Sequence, residues 1–94
     1  MRPYAITPLE RQIPMQPPGS VNIRDAKALG QLIRRTRKQQ GLTLETLAGL
    51  CGLSIRFLSE LENGRDSCGF GRIMMVLDAL GIDLVAYPTE ETPS

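Results

Sequence analysis

Histidine and tryptophan are absent from this 94-residue chain, which carries only two cysteines, two tyrosines and two phenylalanines. Without histidine, without a nucleophile and base at recognisable spacing, and without a cluster of metal ligands, the sequence is read as a non-enzyme that needs no cofactor. Asp78 and Asp83 read as surface charges near a helix end and a strand. Cys51 and Cys68 lack any CxxC spacing, which argues against a zinc site. Cys51 stands at an apolar position just before Gly52 and reads as core packing, and the pair reads as reduced thiols of a cytoplasmic protein. No apolar run is long enough to span a bilayer, and the start shows no signal-peptide pattern. Gly69-Phe70-Gly71 has neither the glycine count nor the lysine of a phosphate-cradling loop.

The net charge is only +1, which by itself argues nothing about partners. Its distribution says more. Arg24 to Arg72 holds nine basic and five acidic residues, whereas Asp78 to Ser94 holds no basic and four acidic ones. A basic body with an acidic tail suits a polyanion-facing core and a separate surface for other contacts. A chain of this length supports one small domain that buries a modest fraction of its surface, so dimerisation would add to its stability.

The densest information lies in residues 43–64, TLETLAGLCGLSIRFLSELENG. Thr43 is placed to cap a helix, with Glu45 in its first turn. Leu44, Leu47 and Ala48 recur at helical spacing. Gly52 falls where the chain must turn sharply, and Ser54 caps a second helix. Along that helix Phe57, Leu58 and Leu61 face inward, while Ile55, Arg56, Ser59, Glu60 and Asn63 face outward, and Gly64 stops it. Two braced short helices presenting one narrow polar strip have the geometry for placing side chains in the major groove of DNA.

The segment resembles the helix-turn-helix of the Xre and phage-repressor family. The longer run from LGQLIRRTRKQQGLTLETLA through FLSELENGR to LDALGIDLVAYP, within Asp25 to Pro88, is similar to HipB-type antitoxins. The resemblance implies a mainly α, four-to-five-helix lambda-repressor-like domain with one C-terminal β-strand used in dimerisation. It also implies an ion pair between Arg37 and Glu62 that ties the first helix to the end of the reading helix.

Four pieces are expected. Residues 1–21 form a proline-rich flexible arm, with five of the seven prolines in residues 1–20; it is either a leader without function or a contact through Arg2, Tyr4 and Arg11. Residues 22–81 form the helix-turn-helix domain. Its first helix starts between Asn22 and Asp25 and runs to Gln40, with Leu29, Leu32, Ile33 and Thr36 inward and Gly41 as its stop. Arg34, Arg35, Arg37 and Lys38 lie on its other sides. Its last helix covers roughly Gly69 to Leu80, with Phe70, Ile73, Val76, Leu77 and Leu80 on one face. Met74 and Met75 lie partly off that face, as core packing or as part of a dimer seam. Residues 82–88 read as the dimerisation strand, carried by Ile82, Leu84, Val85, Ala86 and Tyr87, since one isolated strand is not stable in water. Val21-Asn22-Ile23 is a candidate addition to that sheet. Residues 89–94 form a flexible acidic tail, a frayed end or a contact surface.

By the same resemblance the first outward residues of the reading helix approach base edges. Arg56 can bond bidentately to a guanine, and Ile55 can contact a thymine methyl. Glu60 either accepts from cytosine N4 or pairs with Arg56 one turn earlier. Thr43, Ser54, Ser59, Asn63 and Arg65 are the candidate phosphate contacts, which hold register without reading sequence. The family often carries glutamine where this chain has Leu44 and Ile55, so no particular base preference carries over.

The expected function is a cytoplasmic, nucleoid-associated bacterial repressor that binds double-stranded DNA as a homodimer on a palindromic operator. HipB resemblance further implies an antitoxin that autoregulates its operon and neutralises a HipA-type serine/threonine kinase. The alternative is a plain Xre-type regulator without a toxin partner.

Overall fold

The computed structural model describes residues 19–88, so the expected arm through residue 18 and the tail from residue 89 lie outside it. The chain divides into a unit spanning Asn22–Leu84 and a second unit made of the two ends. Of that second unit, residues 19–21 and 85–88 are described, and they carry neither helix nor strand.

Four helices make up the Asn22–Leu84 unit: α1 (Ala26–Gln39), α2 (Leu44–Cys51), α3 (Ile55–Glu62) and α4 (Phe70–Leu80). Three of them start at a side chain that accepts a hydrogen bond from an otherwise unpaired backbone N–H. Asp25 Oδ1 accepts from Ala28 N at 2.8 Å, Thr43 Oγ1 from Thr46 N at 3.0 Å, and Ser54 Oγ from Phe57 N at 3.0 Å. The fourth begins after Gly69, which offers no side-chain cap.

All four helices end by one device. Just past the last turn the chain folds back, so that the N–H of Leu42, Leu53, Arg65 and Ile82 reaches the carbonyl of Arg37, Ala48, Glu60 and Leu77, at 2.9–3.0 Å. At the second of these stops, Gly52 adopts φ 68° and ψ 31°, the left-handed region that only glycine enters without a Cβ penalty.

The core is assembled from one stripe of each helix: Ile33 of α1, Leu47 and Ala48 of α2, Leu58 and Leu61 of α3, and Val76, Leu77 and Leu80 of α4, with Cys51 at the end of α2. These positions recur at three- and four-residue intervals, the spacing that keeps side chains on one helix face. Burial pushes the Cys51 thiol above its ordinary range, and its Sγ lies 3.9 Å from the Met75 carbonyl of α4.

Close approach fixes where α1 crosses α3. A Cβ placed on Gly30 would stand 2.4 Å from the Leu61 carbonyl oxygen and 2.6 Å from that of Glu62. Both obstacles are backbone, so only glycine lets the two helices come this near. At the other end of α1, Gln40 Nε2 donates to the Leu80 carbonyl at 2.8 Å, joining the C-termini of α1 and α4.

One expectation needs correction. Phe70 does not join the inward face of α4 and is 66% exposed. A helical side chain leans toward the helix N-terminus, and as the first residue of α4 Phe70 leans past the end of the core. Residues 82–88 form no strand, nor do residues 21–23, and there is no β-strand among the described residues. A ladder belongs to two strands, and no ladder forms among the described residues. Ile82 packs half-buried against the core, while Leu84, Val85, Ala86 and Tyr87 are exposed. No helix among the described residues is long and apolar enough to cross a membrane.

Candidate nucleic-acid interface

The connection between α2 and α3 is only Gly52-Leu53-Ser54, bounded by one helix stop and one helix cap. Leu47 and Ala48 on one side and Leu58 and Leu61 on the other are buried in the same core, so the pair moves as a braced unit. The outer side of α3 carries Ile55 and Arg56, both exposed, followed by half-buried Ser59 and Glu60 and by exposed Asn63.

The brace continues through a buried ion pair. Arg37 and Glu62 are each only 7% exposed. Arg37 Nε donates to Glu62 Oε2 at 2.7 Å, and its Nη2 donates to Oε1 at 3.0 Å. Its Nη1 donates to the Leu42 carbonyl at 2.8 Å. The guanidinium thus joins α1, the loop before α2 and the last residue of α3. Such a two-point fork is geometrically specific, and planar arginine suits it better than lysine. The Glu62 hydrogen bond, against the opposing effect of burial, pushes Arg37 above its already high ordinary value, so it stays charged throughout.

On the exposed face one carboxylate meets two guanidiniums. Glu60 accepts from Arg56 Nε at 3.3 Å, four residues back on the same helix, and from Arg65 Nη1 in the loop beyond it. Arg65 Nε also donates to Ser67 Oγ at 2.7 Å. The Arg65 hydrogen bond, opposed by desolvation and supported by Arg56, holds the Glu60 carboxyl below its ordinary value. Arg56 nevertheless keeps 87% of its side chain exposed, and among the described residues its terminal nitrogens make no hydrogen bond.

The candidate phosphate contacts are distributed around this cluster. Ser54 uses its oxygen as an acceptor for the α3 cap, which leaves its hydroxyl proton to donate outward. Thr43 both accepts from Thr46 N and donates to Thr46 Oγ1 at 3.0 Å, so its proton already has an acceptor. Ser59 and Asn63 form no side-chain hydrogen bond among the described residues. Arg65 is held by Glu60 and Ser67, as above.

Three features have no counterpart in the sequence reading. Gly30 sets the separation of α1 and α3, and Gln40 joins α1 to α4. Arg72 of α4 lies over the Phe57 ring, its guanidinium carbon 5.5 Å from the centroid. That cation–π contact brings a further cation beside α3. No local spacing announces any of the three. No group of three or more His, Cys, Asp or Glu side chains suited to a metal occurs among the described residues.

A family model described as a helix-turn-helix domain matches residues 28–86. The uncharacterized HTH-type transcriptional regulator y4mF of Sinorhizobium fredii is 40% identical over 60 residues, covering 62% of this chain and 79% of that protein. A second such regulator of the same organism, y4dJ, is 36% identical over 69 residues, covering 71% and 90% respectively. Among solved structures, the HipB-O4 20mer complex matches with a TM-score of 0.69 at 21% identity, over 76% of this chain and all of that one. The restriction-modification controller protein C.AhdI from Aeromonas hydrophila matches with a TM-score of 0.57 at 33% identity, over 62% and 88%. The first of these likenesses is one of fold. With the family model spanning all four helices but for the first two residues of α1, the chain belongs to the helix-turn-helix domain family.

Proposed function

We propose that this protein is a transcriptional regulator that binds double-stranded DNA as a homodimer on a palindromic operator, and that it acts as the antitoxin of a HipAB-like pair. The observation that carries DNA binding is the outer strip of α3. Ile55 and Arg56 stand exposed on a helix held rigid by two caps, a shared core and the Arg37–Glu62 fork. Rigid presentation matters because a bidentate arginine contact to guanine depends on geometry and contributes about 1–3 kcal/mol of discrimination. Ser54, Ser59, Asn63 and Arg65 flank the strip as phosphate contacts, with Thr43 able to join them once its proton turns from Thr46.

Dimerisation in this reading uses Ile82, Leu84, Val85, Ala86 and Tyr87, which pair as a strand with the same segment of a second copy. A two-fold dimer would present two reading helices to two half-sites. The antitoxin role draws support from fold likeness to the HipB-O4 20mer complex and to a chain of a HipA-HipB-O2-O3 complex, the latter at a TM-score of 0.69 and 22% identity. The partner would be a HipA-type serine/threonine kinase. A plain regulator without a toxin is the second reading, favoured by the HTH-type regulators among the sequence relatives.

A salt-series titration against duplex DNA from upstream of the gene tests DNA binding, with Arg56→Ala beside the wild type. Tight binding of two chains per site, weakened in the variant by about 1–3 kcal/mol for that site alone, is the expected result. Equal weakening on cognate and scrambled duplexes would remove Arg56 as a base reader. Co-purification with the product of an adjacent kinase-like gene separates the antitoxin from the plain regulator.

A further inference from the structure

One acidic residue stands on the otherwise cationic or neutral outer strip of α3, and its placement is unlike that of the buried Glu62. Glu60 binds Arg56 and Arg65 together, and Arg65 is additionally held by Ser67. Arg56 is the candidate base reader and Arg65 a candidate phosphate contact. A bare carboxylate here would repel the DNA backbone, whereas this one is covered by two guanidiniums. The three groups together carry a net charge of +1, and the shared carboxylate biases both arginines toward one arrangement. The bond to Arg56 uses only Nε, and among the described residues its two terminal nitrogens make no hydrogen bond.

We propose that Glu60 sets the discrimination between cognate and non-cognate DNA, as a positioning residue that holds both arginines rather than as a reader of cytosine. This rests on the DNA-binding function proposed above. On an arbitrary sequence, neutralising a phosphate with Arg65 means breaking its bond to Glu60, and the small return leaves the cluster closed. On the cognate site the fork of Arg56 meets its base with Glu60 still behind it, so less ordering of the guanidinium is required on binding. Glu60 thus weakens non-specific binding and preserves specific binding, which is specificity obtained by disfavouring the wrong partner.

The test is Glu60→Gln in the full-length chain, titrated over a salt series on the upstream duplex and on a scrambled duplex. Circular dichroism and size measurement first establish that each variant is folded and assembled as the wild type. On scrambled DNA the variant should bind with a salt slope steeper by about one unit, and on the order of eightfold more tightly at about 0.1 M salt, as expected for one additional phosphate contact. On the cognate duplex its affinity should rise less or fall, so the ratio between the two shrinks. The same substitution made in an Arg56→Ala, Arg65→Ala background should leave the slope on scrambled DNA where it was. If the slope steepens there as well, mere loss of a negative charge is the cause and the positioning role is overturned. It is overturned also if Glu60→Gln weakens only cognate binding, which is the signature of a cytosine contact. Wild-type protein that binds neither duplex instead removes the proposed function, and the inference falls with it.

Discussion

Removing Glu62 should cost this protein a large part of its stability. Glu62→Ala deletes both hydrogen bonds to Arg37 Nε and Nη2 and leaves the guanidinium buried with the Leu42 carbonyl as its partner. Because the pair is 7% exposed on either side, water screens little of the loss. Breaking a buried pair by deleting one member typically costs about 3–5 kcal/mol, against about 0–1 kcal/mol for a pair in solvent. A unit of about 60 residues has a total stability of roughly 3–9 kcal/mol, so the variant should sit at the edge of folding. Urea denaturation followed by far-UV circular dichroism measures the change, with a lowered midpoint at an unchanged slope per molar denaturant. The double replacement Arg37→Met with Glu62→Leu leaves no unpaired charge and should lose less than the single one. A cost below about 1 kcal/mol for Glu62→Ala, or a double variant as unstable as the two single losses added together, would refute the brace.

Gly30→Ala should destabilise by about 2 kcal/mol net, because a collision with two carbonyls at the upper end of the usual overpacking cost of about 1–3 kcal/mol outweighs the gain in helix propensity of about 1 kcal/mol. A thermal melt raised by the substitution would show that α1 and α3 are not in such close contact. Cys68 should react with a thiol reagent in the native protein at neutral pH, whereas Cys51, buried and with its thiol pushed up, should react only on unfolding. Equal native rates, read by mass spectrometry, would contradict the placement of Cys51. Because the folded value for Glu60 is lowered, its ionic contribution is complete above the ordinary 4.5 and is lost as pH falls through that lower folded value. An NMR carboxyl titration should show a midpoint below 4.5 that rises in Arg65→Ala, and an unshifted wild-type midpoint would dissolve the cluster.

Much of this architecture is legible in the chain because it is local. Asp25, Thr43 and Ser54 bond to N–H groups three residues on, and a cap at that spacing can be read directly. The stops at Gly41, Gly52, Gly64 and Gly81 are equally local, as is the inward stripe of α3. What is not legible depends on the distance between elements. The Gly30 contact is set by where α1 crosses α3, and Gln40 meets Leu80 across 40 residues of chain. Periodicity alone cannot tell Phe70 that the core ends beneath it. Within the candidate interface, spacing allows the Arg56–Glu60 pair but says nothing of Arg65, whose approach depends on the turn after Gly64. Arg37 illustrates the difference most sharply. Spacing assigns it to the solvated sides of α1, and resemblance is what singles it out from its basic neighbours.

The short span from Gly52 to Ser54 constrains how this protein could change its preference. The stop of α2 and the cap of α3 share a three-residue connection, and neither has slack. One residue inserted or deleted between them would leave the α2 stop, the α3 cap and the shared core unable to be met together, and would shift Arg56 away from its present place on the outer strip. Side-chain replacement at Ile55 or Arg56 leaves the caps and the core untouched. Divergence among descendants of this chain should therefore run through exchanges along the exposed strip, at constant length from Thr43 to Gly64, and length variation should collect outside that interval.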